Sequence, residues 1–106
     1  MQKPDNPGLP NSLSSIGKKA SYANFSLHWL VVPNGVVSVG DYAFQYGRSL
    51  QSVHIGEAVT SIGKRSFSNG WVLSDLQLRD SLTTIGEKAL YRSPHLREVS
   101  IPDSVI

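Results

Sequence analysis

The chain has 106 residues, of which 40% are hydrophobic and 17% are charged, and its formal net charge is +2. This length allows one domain at most, and a mild positive charge without a clustered basic stripe argues against a nucleic-acid-binding protein. The absence of cysteine excludes disulfides, a thiolate nucleophile and cysteine-based metal sites, and no apolar run reaches the roughly 18 residues of a membrane span.

Residues 1–8 precede any regular pattern. Pro4, Pro7 and Gly8 oppose regular secondary structure there, and we predict a flexible N-terminal arm over residues 1–8. The first five residues also lack the apolar stretch of a signal peptide.

From residue 9 onward the sequence repeats with a period of 23 residues. The period is marked by four hydrophobic-glycine pairs, which are Ile16-Gly17, Val39-Gly40, Ile62-Gly63 and Ile85-Gly86. A strict repeat of this length is typical of a solenoid, in which each unit stacks on its neighbours. We therefore predict a single domain over residues 9–106 that contains about four units.

Each unit is predicted to contain a short strand and a second extended stretch. In the second unit, hydrophobic Val53 and Ile55 alternate with polar Ser52 and His54, which predicts a strand with one buried face. Equivalent strands would form a parallel sheet. Residues 59–62 are rich in β-branched side chains and form the second stretch. The glycine that follows is expected either to adopt a positive φ or to allow close approach of two backbones.

The segment after each glycine is predicted to form one or two helical turns, as over residues 41–46. Phe44 and Phe67 would point inward and stack on each other across units. Residues 99–101 are predicted to form a final strand without a following unit. Because exposed strand edges invite association, we expect either end-to-end self-association or a longer array.

Three segments carry a resemblance to a known family. Residues 59–63 read VTSIG, residues 40–44 read GDYAF, and residues 99–105 read VSIPDSV. These strings resemble the BspA-type leucine-rich repeat, whose unit reads roughly L-x-x-I-x-I-P-x-x-V-x-x-I-G-x-x-A-F-x-x-C, and the resemblance covers about residues 9–106. The usual cysteine is replaced by a small or short residue in every unit, which is Asn24, Gly47, Gly70 or Ser93.

The resemblance implies a right-handed α/β solenoid with a curved parallel β-sheet and short helical turns. It also implies a protein at the cell surface or secreted, often an adhesin or a binder of host proteins. We therefore expect a non-catalytic, adhesin-like module that binds a protein partner, such as one on a host or cell surface. The alternative is a structural spacer or self-assembly segment of a longer surface protein.

Candidate binding residues occupy outward strand positions, which do not repeat between units and are free of packing constraints. Trp residues are enriched among binding hot spots. For Trp29, the competing interpretation is that it covers the open end of the first unit, and for Trp71 the sequence favours a core position over the sheet rim. The predicted binding set is Trp29, Val31, Ser52, His54, Trp71, Asp75, Gln77 and Glu98.

The remaining polar residues do not suggest chemistry. His28, His54 and His95 lie in different columns of the repeat, so we expect no metal site, no cofactor and no enzymatic activity. Charged residues follow each glycine and mix both signs, which favours a solvated surface over a stripe that binds an anionic partner. These residues are Lys18, Lys19, Lys64, Arg65, Glu87 and Lys88.

Overall fold

The computed structural model describes residues 12–96 and 99–105, so the predicted arm over residues 1–8 and the candidate Glu98 lie outside the described residues. The described chain forms six short strands. They are β1 (Trp29–Val31), β2 (Ser38–Val39), β3 (Ser52–His54), β4 (Ser61–Ile62), β5 (Asp75–Gln77) and β6 (Thr84–Ile85). The described residues contain no helix that is long and apolar enough to cross a membrane.

The strands form two parallel sheets that follow the 23-residue period. The first sheet has the order β1-β3-β5 and the second has the order β2-β4-β6. Leu30 is aligned with Val53, and Val53 is aligned with Leu76, so each strand lies beside its counterpart in the next unit. The predicted parallel sheet is confirmed, and β3 ends one residue before the predicted boundary.

The core lies beneath the first sheet and is filled by the repeating hydrophobic columns. Leu30, Val53 and Leu76 are 1%, 0% and 8% exposed, which confirms their inward orientation. Phe44 and Phe67 are also buried, and their rings stack with centroids 5.3 Å apart and an angle of 4° between their planes. The predicted stacking of these two rings across units is confirmed.

The predicted helical turns are wrong, because the described residues contain no helix. The segments over residues 18–23, 41–46, 64–69 and 87–92 are successive turns, which we call the turn segments. Each turn segment contains two non-glycine residues at positive φ, such as Tyr42 at 60° and Tyr46 at 62°. This conformation interrupts the right-handed dihedral angles that an α-helix requires.

Hydrogen bonding in the turn segments also differs from that of a helix. The amide of Phe44 donates to the carbonyl of Ser66 at 2.8 Å, and the amide of Phe67 donates to the carbonyl of Ala89 at 2.9 Å. Alternate amides thus bond to the next unit rather than to a carbonyl four residues back. The fold is therefore a stack of strands and turns, without the α component that the sequence and the resemblance predicted.

The glycines that mark the period are required by close approach of neighbouring backbones. A Cβ atom added at Gly63 would lie 2.6 Å from the carbonyl carbon of Gly40 and 2.6 Å from the amide nitrogen of Asp41. These glycines do not have positive φ values, so the second of the two predicted explanations is correct. Gly17 differs, since a Cβ atom there would meet no atom within 4 Å.

The predicted strand over residues 99–101 is not present. These residues form no ladder with β5, and Ile101 is 50% exposed although it shares a repeat column with the buried Val32 and Ile55. The end strand β1 also has a single ladder, but its Leu30 and the following Val32 are each 1% exposed, whereas the half-exposed Ile101 would add little buried apolar surface to a ladder.

Candidate binding surface

The outward side chains of the first sheet form two aligned columns. Trp29, Ser52 and Asp75 are aligned across β1, β3 and β5 and are partly buried. In the next column, Val31 is partly buried, whereas its counterparts His54 and Gln77 are exposed. The sheet therefore presents six of the eight predicted binding residues on one surface. Sequence alternation alone was sufficient to place them there.

A polar network connects three of these residues. The Nε2 atom of His54 lies 3.0 Å from Oδ2 of Asp75, and the Nε2 group of Gln77 donates to Oδ1 of the same carboxylate at 2.7 Å. The side chains of His54 and Asp75 are 51% and 46% exposed. An exposed ion pair of this kind contributes about 0–1 kcal/mol to stability. The network therefore does more to orient groups at the surface than to hold the fold together.

Two open depressions lie next to β5, and both are lined by Ser74. One has a volume of about 220 Å³ and borders the polar network, and its polar lining is Ser74, Asp75, Gln77 and Ser100. The other has a volume of about 350 Å³, and it is lined by Gln51, Val72, Ser74 and His95. Both depressions are open to solvent, so they suit protruding side chains of a partner better than an enclosed small molecule.

Exposed apolar residues lie in the loops that lead into the strands. Trp71 is 42% exposed and Val72 is 38% exposed, so the favoured core position for Trp71 is wrong. The adjacent Leu73 is 1% exposed and takes the inward position instead. Phe25 occupies the same repeat position as Trp71 and is 51% exposed, with the guanidinium of Arg48 5.0 Å from its ring centroid. We call Phe25, Arg48, Trp71 and Val72 the loop rim.

The comparisons with known proteins give one match. The model of the BspA-type leucine-rich repeat region matches residues 5–106 in six copies. The chain belongs to the BspA-type leucine-rich repeat family. This membership makes it a protein-interaction or structural repeat module. No curated protein and no solved structure matches the chain.

In this BspA-type chain, the family's cysteine position is tightly packed, which explains the small residues found there. Gly47 and Gly70 are buried. A Cβ atom at Gly47 would lie 3.2 Å from the carbonyl oxygen of Phe44, and one at Gly70 would lie 3.2 Å from Cβ of Leu73. A larger side chain in these two units would displace the backbone or the core.

The structure adds residues to the surface that sequence reasoning had not selected. Gln51 and Ser74 belong to a non-repeating, exposed column just before the strands, where alternation does not apply. His95 lines a depression, but in the sequence it was considered only as a metal ligand. Phe25 and Val72 lie in loops without alternation, and the signal for their exposure was the polar residues at the same repeat positions, such as Arg48 and Ser49. Trp29 is partly buried, and the geometry favours neither of its two interpretations.

Proposed function

We propose that this chain is a non-catalytic protein-binding module of a surface protein, and that it contacts its partner through the first sheet and the loop rim. One observation carries the proposal. The non-repeating outward residues of the sheet converge in the network of His54, Asp75 and Gln77, and Asp75 and Gln77 line one of the two open depressions. A module that served only as a spacer would need no exposed aromatic residue beside the sheet, whereas Trp71 is 42% exposed in the loop before β5.

The chemistry of the surface suits recognition of a protein. Trp71 and Val72 are apolar and partly exposed beside a polar centre, and interfaces combine aromatic anchors with polar groups that fix orientation. The family is typically surface-associated, which supports a partner outside the cell, such as a host protein. We further propose that the stacked units form a right-handed solenoid, so that the first sheet is a curved binding face, as in other repeat proteins.

The test begins by capturing extracellular host proteins on the immobilised chain, identifying a captured protein and purifying it for affinity measurements. Trp71→Ala and His54→Ala are each expected to weaken its binding by tenfold or more. Tyr22→Ala is the matched control, because Tyr22 has the same 42% exposure as Trp71 but lies in a turn segment. Unchanged affinity for Trp71→Ala and His54→Ala, together with a loss of affinity for Tyr22→Ala, would show that the proposed face is wrong.

A second candidate function is self-assembly, and the exposure of Ile101 favours it. Val32 and Ile55, in the same repeat column, are only 1% and 2% exposed, whereas Ile101 is 50% exposed. End-to-end stacking of a second copy would cover this side chain and continue the array. Sedimentation at increasing concentration is expected to show association that Ile101→Glu abolishes. A wild-type chain that stays monomeric at all concentrations would exclude this candidate.

A further inference from the structure

The turn segments concentrate positive charge on one side of the molecule. Six of their side chains are cationic and two are carboxylates, so the segments carry a net charge of +4. Because the whole chain carries only +2, all other residues together are net negative. The cations are Lys18, Lys19, Lys64, Arg65, Lys88 and Arg92, and the carboxylates are Asp41 and Glu87.

Three of these cations converge on one exposed phenol. Lys88, Arg92 and Arg65 have their charged groups 5.1, 5.3 and 5.8 Å from the ring centroid of Tyr91, which is 39% exposed. Among the described residues, no carboxylate forms an ion pair with any of the three. Like charges gathered this closely repel one another, and an anion bound among them would relieve that repulsion.

In the part of the chain that the structure describes, neither carboxylate of the turn segments forms an ion pair with these cations, although Glu87 directly precedes Lys88 in the chain. Oδ1 of Asp41 accepts a hydrogen bond from the amide of Lys64 at 2.8 Å, which links it to the neighbouring backbone. The pKa of Tyr91 is consistent with these positive surroundings. It is lowered from its ordinary value, chiefly by a hydrogen bond from Arg92 and then by the charge of Arg92, whereas burial opposes this effect and the charges of Lys88 and Arg65 lower the pKa to a lesser extent.

We propose that Arg65, Lys88 and Arg92 form an anion-binding site for the sulfate groups of a linear sulfated polysaccharide. Arginine side chains bind oxyanions in a bidentate manner. Lys19, Arg65 and Lys88 also share one repeat column with Tyr42, in which neighbouring units are spaced by about 4.8 Å, the separation of hydrogen-bonded strands. Arg65 and Lys88 lie in adjacent units of this column, so they line up positive charge along the array, as a linear polyanion requires. This site lies in the turn segments and is separate from the proposed protein-binding sheet.

The same residues disfavour two other polyanionic partners. Single-stranded nucleic acid needs free aromatic faces for base stacking, but cations already lie against the ring of Tyr91, and Lys19 lies over Tyr22 and Tyr42. A membrane surface is bound by basic clusters that are combined with apolar anchors. The large hydrophobic residues exposed in the described turn segments are Tyr22 and Tyr91, which carry polar hydroxyls.

The test measures binding of the intact chain to heparin by titration calorimetry at physiological salt. The variant R65Q/K88Q/R92Q is expected to bind at least tenfold more weakly than the wild-type chain. The variant K3Q/R48Q/R79Q removes the same number of charges outside the turn segments and is expected to change affinity by less than twofold. R65K/R92K keeps the charges and is expected to retain most of the binding. Circular dichroism would verify that each variant is folded.

A local measurement places the ligand at the site. Heparin is expected to raise the pKa of Tyr91, because sulfate groups disfavour the phenolate, and the difference between wild-type and Tyr91→Phe ultraviolet titrations isolates this phenol. Absence of heparin binding, or equal weakening in both triple variants, would overturn the proposal. Desulfated heparin that binds as tightly as heparin would overturn it as well. Single-stranded DNA of equal charge that binds more tightly and depends on the same three residues would identify a nucleic-acid site instead.

Discussion

Removal of the Phe67 ring tests how far stability depends on packing between units. Phe67 is 1% exposed and stacks on Phe44 with ring centroids 5.3 Å apart, so truncation to alanine removes both buried area and the ring contact. Buried Phe→Ala substitutions cost about 3–5 kcal/mol. Domains of this size have unfolding free energies of about 5–15 kcal/mol, from roughly 0.05–0.15 kcal/mol per residue. Phe67→Ala is therefore expected to remove a fifth or more of the free energy of unfolding.

Urea denaturation followed by circular dichroism would measure this loss. Phe25→Ala is the matched control, because Phe25 is 51% exposed and its removal is expected to cost about 1 kcal/mol or less, as at surface positions. A double-mutant cycle between Phe44 and Phe67 is expected to give a coupling of about 0.5–1.5 kcal/mol. A loss below about 1 kcal/mol for Phe67→Ala, equal to that of Phe25→Ala, would refute the idea that this stack supports the array.

Three further predictions concern single positions. Ser66→Ala should raise the free energy of unfolding by about 1 kcal/mol, because the Ser66 hydroxyl is buried without a hydrogen-bond partner, and chemical denaturation would measure the gain. Gly63→Ala should lower that free energy by about 1–3 kcal/mol because its new Cβ would clash with backbone, whereas Gly17→Ala, with free space, should leave it nearly unchanged in the same assay. Arg92→Gln should raise the pKa of Tyr91 toward its ordinary value of about 10, because it removes the main cause of the lowered pKa, and ultraviolet titration against Tyr91→Phe would detect the shift. Because the pKa of Tyr91 is lower in the folded state, its ionisation stabilises the fold fully at pH values above the ordinary pKa. This contribution disappears as the pH falls through the folded-state pKa, so Tyr91→Phe should leave the free energy of unfolding at pH 7 unchanged.

The parts of the fold that follow packing periodicity could be predicted from the sequence. Alternation placed Val53 inside and His54 outside, and the 23-residue period aligned each strand with its counterpart. These predictions succeeded because a buried column tolerates few residue types. The pattern of hydrophobic residues therefore indicates which side chains point into the core. The stacking of Phe44 on Phe67 could be predicted for the same reason, because the two residues occupy the same position in neighbouring units.

The turn segments could not be predicted in the same way. Their sequences resemble short amphipathic helices, since Ala43 and Phe44 are adjacent inward residues between polar ones. The outcome depends on hydrogen bonds to the next unit, which are contacts between residues distant in sequence, and on positive φ at residues such as Tyr42 that do not favour it. The position of Trp71 was predicted wrongly for a related reason, because the loop before β5 has no alternating pattern that separates inward from outward residues.

Backbone strain in the turn segments supports a functional role for their surface, which exposure alone would not do. The described non-glycine residues at positive φ are Lys19, Ala23, Tyr42, Tyr46, Arg65, Asn69, Lys88 and Arg92. This conformation costs roughly 1–2 kcal/mol for residues with a Cβ atom, and glycine would avoid the cost. Most of these positions nevertheless carry a cation or a tyrosine, including all three cations around Tyr91. Because glycine at these positions would remove the strain, the presence of larger residues there indicates a role for their side chains. The conformation also directs these long side chains outward from a rigid, hydrogen-bonded backbone, which is the arrangement that a fixed anion-binding surface requires.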